Sequence, residues 1–216
     1  MMASTEHVWI DCETHRLEAV VQRGSLDNGA FIGHPHPLHG GAMDNNVVLA
    51  LEAAYRDRGW TTVRFNFRGV GASTGTYGHG DGEAQDMMWV HRWLEFAGVG
   101  KIHMAGYSFG AWVVLKACRL GIAPQSLALV SPPLHFLDFS NLSLPSCPTW
   151  VIVGDADAFA EAHRVAAWAE TQSALGNPVH VEVSLQTDHF YWGREQEIRR
   201  RLGLFLDALT GSVKKS

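Results

Sequence analysis

Apolar positions along this chain fall into short runs that alternate with longer, helically spaced stretches. His7–Cys12 and Leu17–Gln22 read as strands of an opening hairpin, and Gly29–Gly33 as a short strand. Val47 to Arg58 reads as a helix. Val47, Val48, Ala50, Leu51 and Ala54 form its apolar stripe, and Asp44 or Asn45 stands where an N-cap belongs. Thr61–Asn66 is a predicted strand and Glu83–Phe96 a predicted helix, opened by Asp81-Gly82-Glu83. Ile102–Ala105 forms a short buried strand. Ala111–Arg119 forms a helix carrying Trp112, Val113, Val114 and Leu115. Ser126–Ser131 and Thr149–Gly154 are strands, and Ala160–Leu175 is a helix stopped by Gly176-Asn177-Pro178. Val179–Leu185 is the last strand and Glu195–Leu209 the closing helix.

Apolar strand-like runs that alternate with helices imply a sheet covered on both faces. The predicted fold class is α/β: a mostly parallel central sheet, an N-terminal antiparallel hairpin and helices on both faces. No repeat, low-complexity segment or linker interrupts the pattern, so residues 1–216 read as one domain. Pro132 to Pro148 is the only long irregular stretch. It is too short for a cap domain and is expected to be a loop or at most one helical turn.

Composition narrows the partners. With 46% apolar and 18% charged residues, the chain suits a soluble globular protein. A net charge of −5 with scattered lysines and arginines gives no footprint for nucleic acid. No run approaches the ~20 apolar residues of a membrane helix, so no membrane partner is expected. Met1 to Asp11 carries Glu6, His7 and Asp11 and does not read as a signal peptide, and Lys214-Lys215-Ser216 reads as a frayed tail. Cys12, Cys118 and Cys147 are odd in number and widely spaced. They suggest neither a disulfide framework nor a zinc knuckle, and a cytoplasmic location is expected.

The chemistry concentrates at Gly106-Tyr107-Ser108-Phe109-Gly110, a complete G-x-S-x-G between a strand and a helix. In a nucleophile elbow this turn lifts the serine oxygen out of the top of a sheet, and the next helix points its free N–H groups at it. A serine is a weak nucleophile until a base takes its proton. The order that accompanies this elbow is serine, acid, histidine. Candidates occur in that order, each after a predicted strand: Asp155 and Asp157, then His189. Asp157 lies later in its loop and reaches over the sheet, so it is read as the acid, with Asp155 bonding loop amides. An oxyanion needs two donors. The Phe109 amide is one. The other comes from Gly33-His34-Pro35-His36-Pro37-Leu38, where the prolines have no N–H, leaving His36 first and Leu38 second. A rival reading makes His34, His36 and His39 metal ligands, completed by Asp157 or His189. The prolines and paired glycines of that loop are explained without metal, and no H-E-x-x-H is present. Arg68, in Phe67-Arg68-Gly69-Val70-Gly71, is expected to pin a tight turn by pairing with Asp81, Glu83 or Asp86. The alternative is contact with an anionic substrate.

Taken together, these segments resemble the small, cap-poor bacterial α/β-hydrolases of the dienelactone-hydrolase-like group. The markers are His34-Pro35-His36-Pro37 with Gly40-Gly41-Ala42-Met43-Asp44-Asn45, then Phe65-Asn66-Phe67-Arg68-Gly69-Val70-Gly71 and Gly80-Asp81-Gly82-Glu83. The elbow, Gly154-Asp155-Ala156-Asp157 and Asp188-His189-Phe190 complete the set. The resemblance implies an α/β-hydrolase fold, a triad at Ser108, Asp157 and His189, and no metal or organic cofactor. Dienelactone hydrolases proper use a cysteine nucleophile, so their substrate does not carry over. The expected activity is cleavage of small carboxylic ester or thioester substrates through an acyl-enzyme. The alternatives are a non-catalytic scaffold of the same fold and a small peptidase, since X-prolyl peptidases share the fold. The missing propeller or cap argues against the peptidase.

Overall fold

The computed structural model describes residues 4–211, so the Lys214-Lys215-Ser216 tail lies outside the described residues. In chain order the strands are β1 (Thr5–Asp11), β2 (Arg16–Gln22), β3 (Ser25–Gly33), β4 (Trp60–Phe65), β5 (Lys101–Tyr107), β6 (Leu127–Val130), β7 (Thr149–Gly154) and β8 (Val179–Ser184). The helices are α1 (Asn46–Arg56), α2 (Asp81–Phe96), α3 (Phe109–Arg119), α4 (Ala162–Ala174) and α5 (Glu195–Thr210). All eight strands join one sheet in the order β1-β2-β4-β3-β5-β6-β7-β8. β1 pairs antiparallel with β2, and β2 with β4; every other pairing is parallel.

The period-two alternation of the strands sorts the core into two layers. On β5 to β7, Met104, Leu127, Leu129, Val151 and Val153 face one way, packing with Met87, Val90 and Leu94 of α2, Val113 and Val114 of α3 and Val165 of α4. Ala105, Ala128, Val130, Trp150 and Ile152 face the other way, onto Val47, Val48 and Leu51 of α1 and Ile198, Leu202 and Leu206 of α5. Burial on both faces explains why these strands are apolar throughout.

Every predicted element forms, with shifted ends. The Asn45 side chain caps α1 by accepting the Val47 N–H at 2.9 Å. β3 begins at Ser25 instead of Gly29, because Ser25 pairs with Trp60 across a register shift that its polar Asp27 and Asn28 conceal. α4 begins at Ala162 instead of Ala160, because the Ala160 amide is engaged by the Asp157 carboxylate and Ala160 belongs to the preceding loop. Between β6 and β7 the chain makes turns but no helix. Among the described residues, no helix is long and apolar enough to cross a membrane.

Candidate active site

β3 lies between β4 and β5, so the chain reverses its direction of progress across the sheet at the β3–β5 junction. Ligand sites of open α/β sheets form beyond the carboxyl ends of the strands at such a switch. Ser108 follows β5 there. Its backbone has φ 55 and ψ −118, a conformation that residues with a Cβ rarely adopt, and its N–H donates to the Val130 carbonyl at 2.9 Å. Glycine is required on both sides. A Cβ on Gly106 would run into the Gly110 carbonyl, and one on Gly110 into the Gly33 carbonyl. α3 starts at Phe109, directly after the serine.

The structure brings Ser108, Asp157 and His189 together. His189 Nε2 lies 2.9 Å from Ser108 Oγ, and its Nδ1 lies 2.9 Å from both carboxylate oxygens of Asp157. A carboxylate only accepts, so the proton sits on Nδ1 and the Nε2 lone pair faces the serine hydroxyl. Asp157 Oδ1 also accepts the amides of Phe159 at 2.9 Å and Ala160 at 2.8 Å. Burial works to raise the Asp157 pKa. The hydrogen bond and charge of His189, the Ser131 hydroxyl and the Ala160 amide outweigh it, and the pKa falls below the ordinary value. Asp155 is exposed and accepts the Thr187 amide at 3.2 Å.

The histidines of the early loop separate. His34 is fully buried. Its Nε2 accepts the Phe67 N–H at 3.0 Å and its Nδ1 donates to the Pro35 carbonyl at 2.6 Å, which ties the loops after β3 and β4. Burial lowers its pKa to about 4. His36 is half-buried beside the elbow, its ring centroid 4.8 Å from that of Phe109. Its Nδ1 accepts the Leu38 amide, which occupies the second-choice oxyanion donor. The His36 and Phe109 amides have no acceptor among the described residues. His39 is exposed. Among the described residues, no three His, Cys, Asp or Glu side chains form a group that could hold a metal ion.

Arg68 finds Asp86 and not Asp81 or Glu83. Its Nε and Nη2 reach Asp86 Oδ1 at 2.9 and 2.7 Å, and its backbone N–H donates to Oδ2 at 2.9 Å. Asp81 pairs with Lys116, and Glu83 accepts the amides of Gly78 and Gly80. His15 of the opening hairpin also bonds Asp86, at 2.8 Å.

The aromatic residues near the site divide. Tyr107, Phe109 and Tyr191 are core, whereas Phe136, Phe159, Phe190 and Trp192 are exposed. Phe159 stands 4.8 Å from the His189 ring and 5.3 Å from Phe136, centroid to centroid, making an apolar wall on the histidine side. Tyr77 stands on the other side, its hydroxyl 3.2 Å from His36 Nε2. Tyr107 and Tyr191 stand near the site in the sequence as well, but the contacts that they and Ser131 make carry no signal there. Tyr107 Oη donates to the His189 carbonyl at 2.6 Å, and the Ser131 and Tyr191 hydroxyl oxygens lie 2.9 Å apart.

The sequence pattern of the X-Pro dipeptidyl-peptidase (S15) family matches residues 13–141. The chain belongs to this family. The match spans Ser108 and ends before Asp157 and His189. An α/β serine hydrolase homologue from Coxiella burnetii is 36% identical to this S15-family chain. It superposes with a TM-score of 0.86 over 95% of this chain and 99% of its own. A lid-less α/β serine hydrolase from Xanthomonas campestris is 32% identical, with a TM-score of 0.86 over 96% of each chain. An uncharacterized protein of Rickettsia prowazekii (strain Madrid E) is 30% identical over 200 residues, 88% of this chain and 84% of that one. The S15-family chain is therefore a small α/β-hydrolase-fold protein, and its hydrolase class follows from family and fold together.

Proposed function

We propose that this protein is a serine hydrolase that cleaves carboxylic ester or thioester bonds of small substrates through an acyl-enzyme. The observation that carries the reading is the unbroken hydrogen-bonded line from Ser108 Oγ through His189 to Asp157, mounted on a strained elbow. Ser108 attacks the acyl carbon while His189 Nε2 takes its proton. The tetrahedral oxyanion accepts the amides of Phe109 and His36, both without another acceptor among the described residues. As the intermediate collapses, His189 returns the proton to the departing alcohol or thiol. Water then repeats the sequence on the acyl-Ser108 ester and releases the acid. Asp157 holds the imidazole in the Nδ1–H tautomer and stabilises the imidazolium. The exposed phenyl rings of Phe136, Phe159 and Phe190 offer apolar surface to the acyl or alcohol group.

A fluorophosphonate probe tests the nucleophile. Wild type is expected to label and Ser108→Ala to stay unlabelled, with kcat on a p-nitrophenyl ester down by roughly 10³–10⁶. Activity within tenfold of wild type in the variant would sink the assignment.

The family match favours one second reading, a peptidase acting after an X-Pro dipeptide. Comparison of kcat/KM on p-nitrophenyl acetate and Ala-Pro-p-nitroanilide separates the two. A higher value on the anilide reassigns the same three residues to peptide cleavage.

A further inference from the structure

His189 has aromatic neighbours of two kinds. Tyr107, 5.4 Å away between ring centroids, is buried. Phe159 at 4.8 Å and Phe190 at 5.9 Å are 41% and 50% exposed. Phe136, 58% exposed, stands 5.3 Å from Phe159, and Phe190 stands 6.3 Å from Phe159. Three phenyl rings from three separate loops thus meet on the surface beside the base. Single exposed apolar residues are ordinary, but a contiguous apolar patch beside a reacting group marks a place where a ligand binds.

Backbone hydrogen bonds hold the rings in place. The Phe159 N–H donates to Asp157 Oδ1 at 2.9 Å, and the Phe190 N–H donates to Asp188 Oδ1 at 2.9 Å. The Phe190 carbonyl accepts the Asn46 side-chain amide at 3.0 Å. Phe136 follows the Pro132-Pro133 pair, and its N–H donates to the Pro133 carbonyl at 3.0 Å. Phe159 and Phe190 lie in the loops that carry Asp157 and His189, so the folding that assembles acid and base also assembles the rings. Surface held in its binding arrangement loses little entropy when a ligand arrives.

The chemistry says which end of an ester these rings meet. When the acyl–oxygen bond breaks, its electron pair leaves with the alcohol oxygen. That oxygen receives from His189 Nε2 the proton that came from Ser108. For this transfer it must lie within hydrogen-bond reach of Nε2, so the group attached to it lies beside the imidazole. The half-buried rings packed on Phe109, by contrast, are His36 and Tyr77, whose polar atoms meet at 3.2 Å. Phenyl surface therefore belongs to the leaving-group side. Phe159 lies at 39° to Phe136 and at 75° to Phe190, so the patch offers both ring faces and ring edges. An aromatic guest extends such a cluster by offset-stacked and edge-to-face contacts.

We propose that Phe136, Phe159 and Phe190 form the leaving-group subsite and select esters of aromatic alcohols. This rests on the Ser108–His189–Asp157 reading above. Benzyl acetate and methyl phenylacetate test it, because they are isomers with the ester reversed: the phenyl group is on the alcohol in one and on the acid in the other. In wild type, kcat/KM is expected to favour benzyl acetate on the order of tenfold. Benzyl acetate should also exceed cyclohexylmethyl acetate, which matches its shape but has no π-face, by roughly threefold or more. In Phe159→Ala and Phe136→Ala the ratio of benzyl acetate to methyl phenylacetate should fall towards one. The ratio cancels any loss common to both esters. Phe136 makes no ring contact with His189 among the described residues, so a changed ratio there does not arise from a displaced imidazole.

Fluorophosphonate labelling of wild type separates the two levels of failure. If Ser108 does not label, the triad reading falls and the subsite falls with it. If Ser108 labels normally, any of three results overturns the subsite alone. These are a wild-type ratio at or below one, cyclohexylmethyl acetate cleaved as well as benzyl acetate, or a ratio that both variants retain. If Phe159→Ala does not fold, Phe136→Ala decides alone, and an unchanged ratio there overturns the proposal.

Discussion

Asp155 and Asp157 show how much a two-residue offset matters at the residue scale. Both follow β7, yet only Asp157 is buried against His189, while Asp155 is exposed and holds a loop amide. Asp157→Asn would turn an acceptor into a possible donor towards Nδ1 and favour the wrong imidazole tautomer. The expected cost is about 10⁴ in kcat with the fold intact. Asp155→Asn should stay within about tenfold of wild type, since it touches no reacting group. Steady-state rates on a short p-nitrophenyl ester check both, and a reversed order would exchange their roles. Ser108 and His189 were legible because strand and turn signals lie beside each in the sequence. The hydroxyl contacts of Tyr107, Ser131 and Tyr191 were not, because their partners lie 82 and 60 residues away in the chain.

At the element scale, the turn after β4 is locked onto α2 by one carboxylate. Asp86 is fully buried and gathers the Arg68 head group, the Arg68 amide and His15. Removing one member of a buried ion pair leaves the other charge uncompensated, typically at about 3–5 kcal/mol. Asp86→Ala should lower the unfolding free energy by that amount in urea titration. Asp81→Ala should change it by under about 1 kcal/mol, because the Asp81–Lys116 pair is exposed on the aspartate side and screened. Equal losses in the two variants would contradict this assignment. The sequence offered three acids for Arg68. Glu83 and Asp86 are both buried, and only the packing of α2 on β3 and α3 decides that Asp86 is the one that meets Arg68.

Two properties belong to the whole molecule. The first is access. The Pro132–Pro148 segment forms no helix, and nothing else is inserted between β6 and β7. Short soluble esters should therefore be preferred over long lipids, with no jump in rate at the micelle threshold. Rates from C2 to C12 acyl chains, with and without micelles, check this, and a C10–C12 optimum would argue for a covered site. The second is stability against acid. His103, on β5, is buried between Ser126 and Asn28 and stacks on Trp60. Burial lowers its pKa from 6.5 to about 4. The unfolded chain then binds more protons than the folded one between those values. Stability is complete above about pH 6.5 and falls as pH drops towards 4, on the order of 3 kcal/mol for this group. Buried His34 acts in the same direction. Denaturant titrations from pH 7 to 4 should show a shallower decline for His103→Gln than for wild type, and parallel curves would refute the role.

By itself the sequence determined the kinds of elements, their order, the two-sided burial of the sheet and the elbow that presents Ser108. These are local quantities: periodicity reports the face that each element buries, and the G-x-S-x-G spacing reports one turn. It also placed candidate acid and base residues just beyond strand ends, which brings them to one edge of a parallel sheet. Tertiary structure alone decided that β3 inserts between β4 and β5, which sets the His36 loop beside the elbow. It also decided that Arg68 meets Asp86, that His34 spends both nitrogens on backbone, and that the Ser131 and Tyr191 hydroxyls meet. Each of these is a hydrogen bond or strand neighbour between distant segments. A hydroxyl or carboxylate has the same local sequence signature whichever partner the fold finally brings to it.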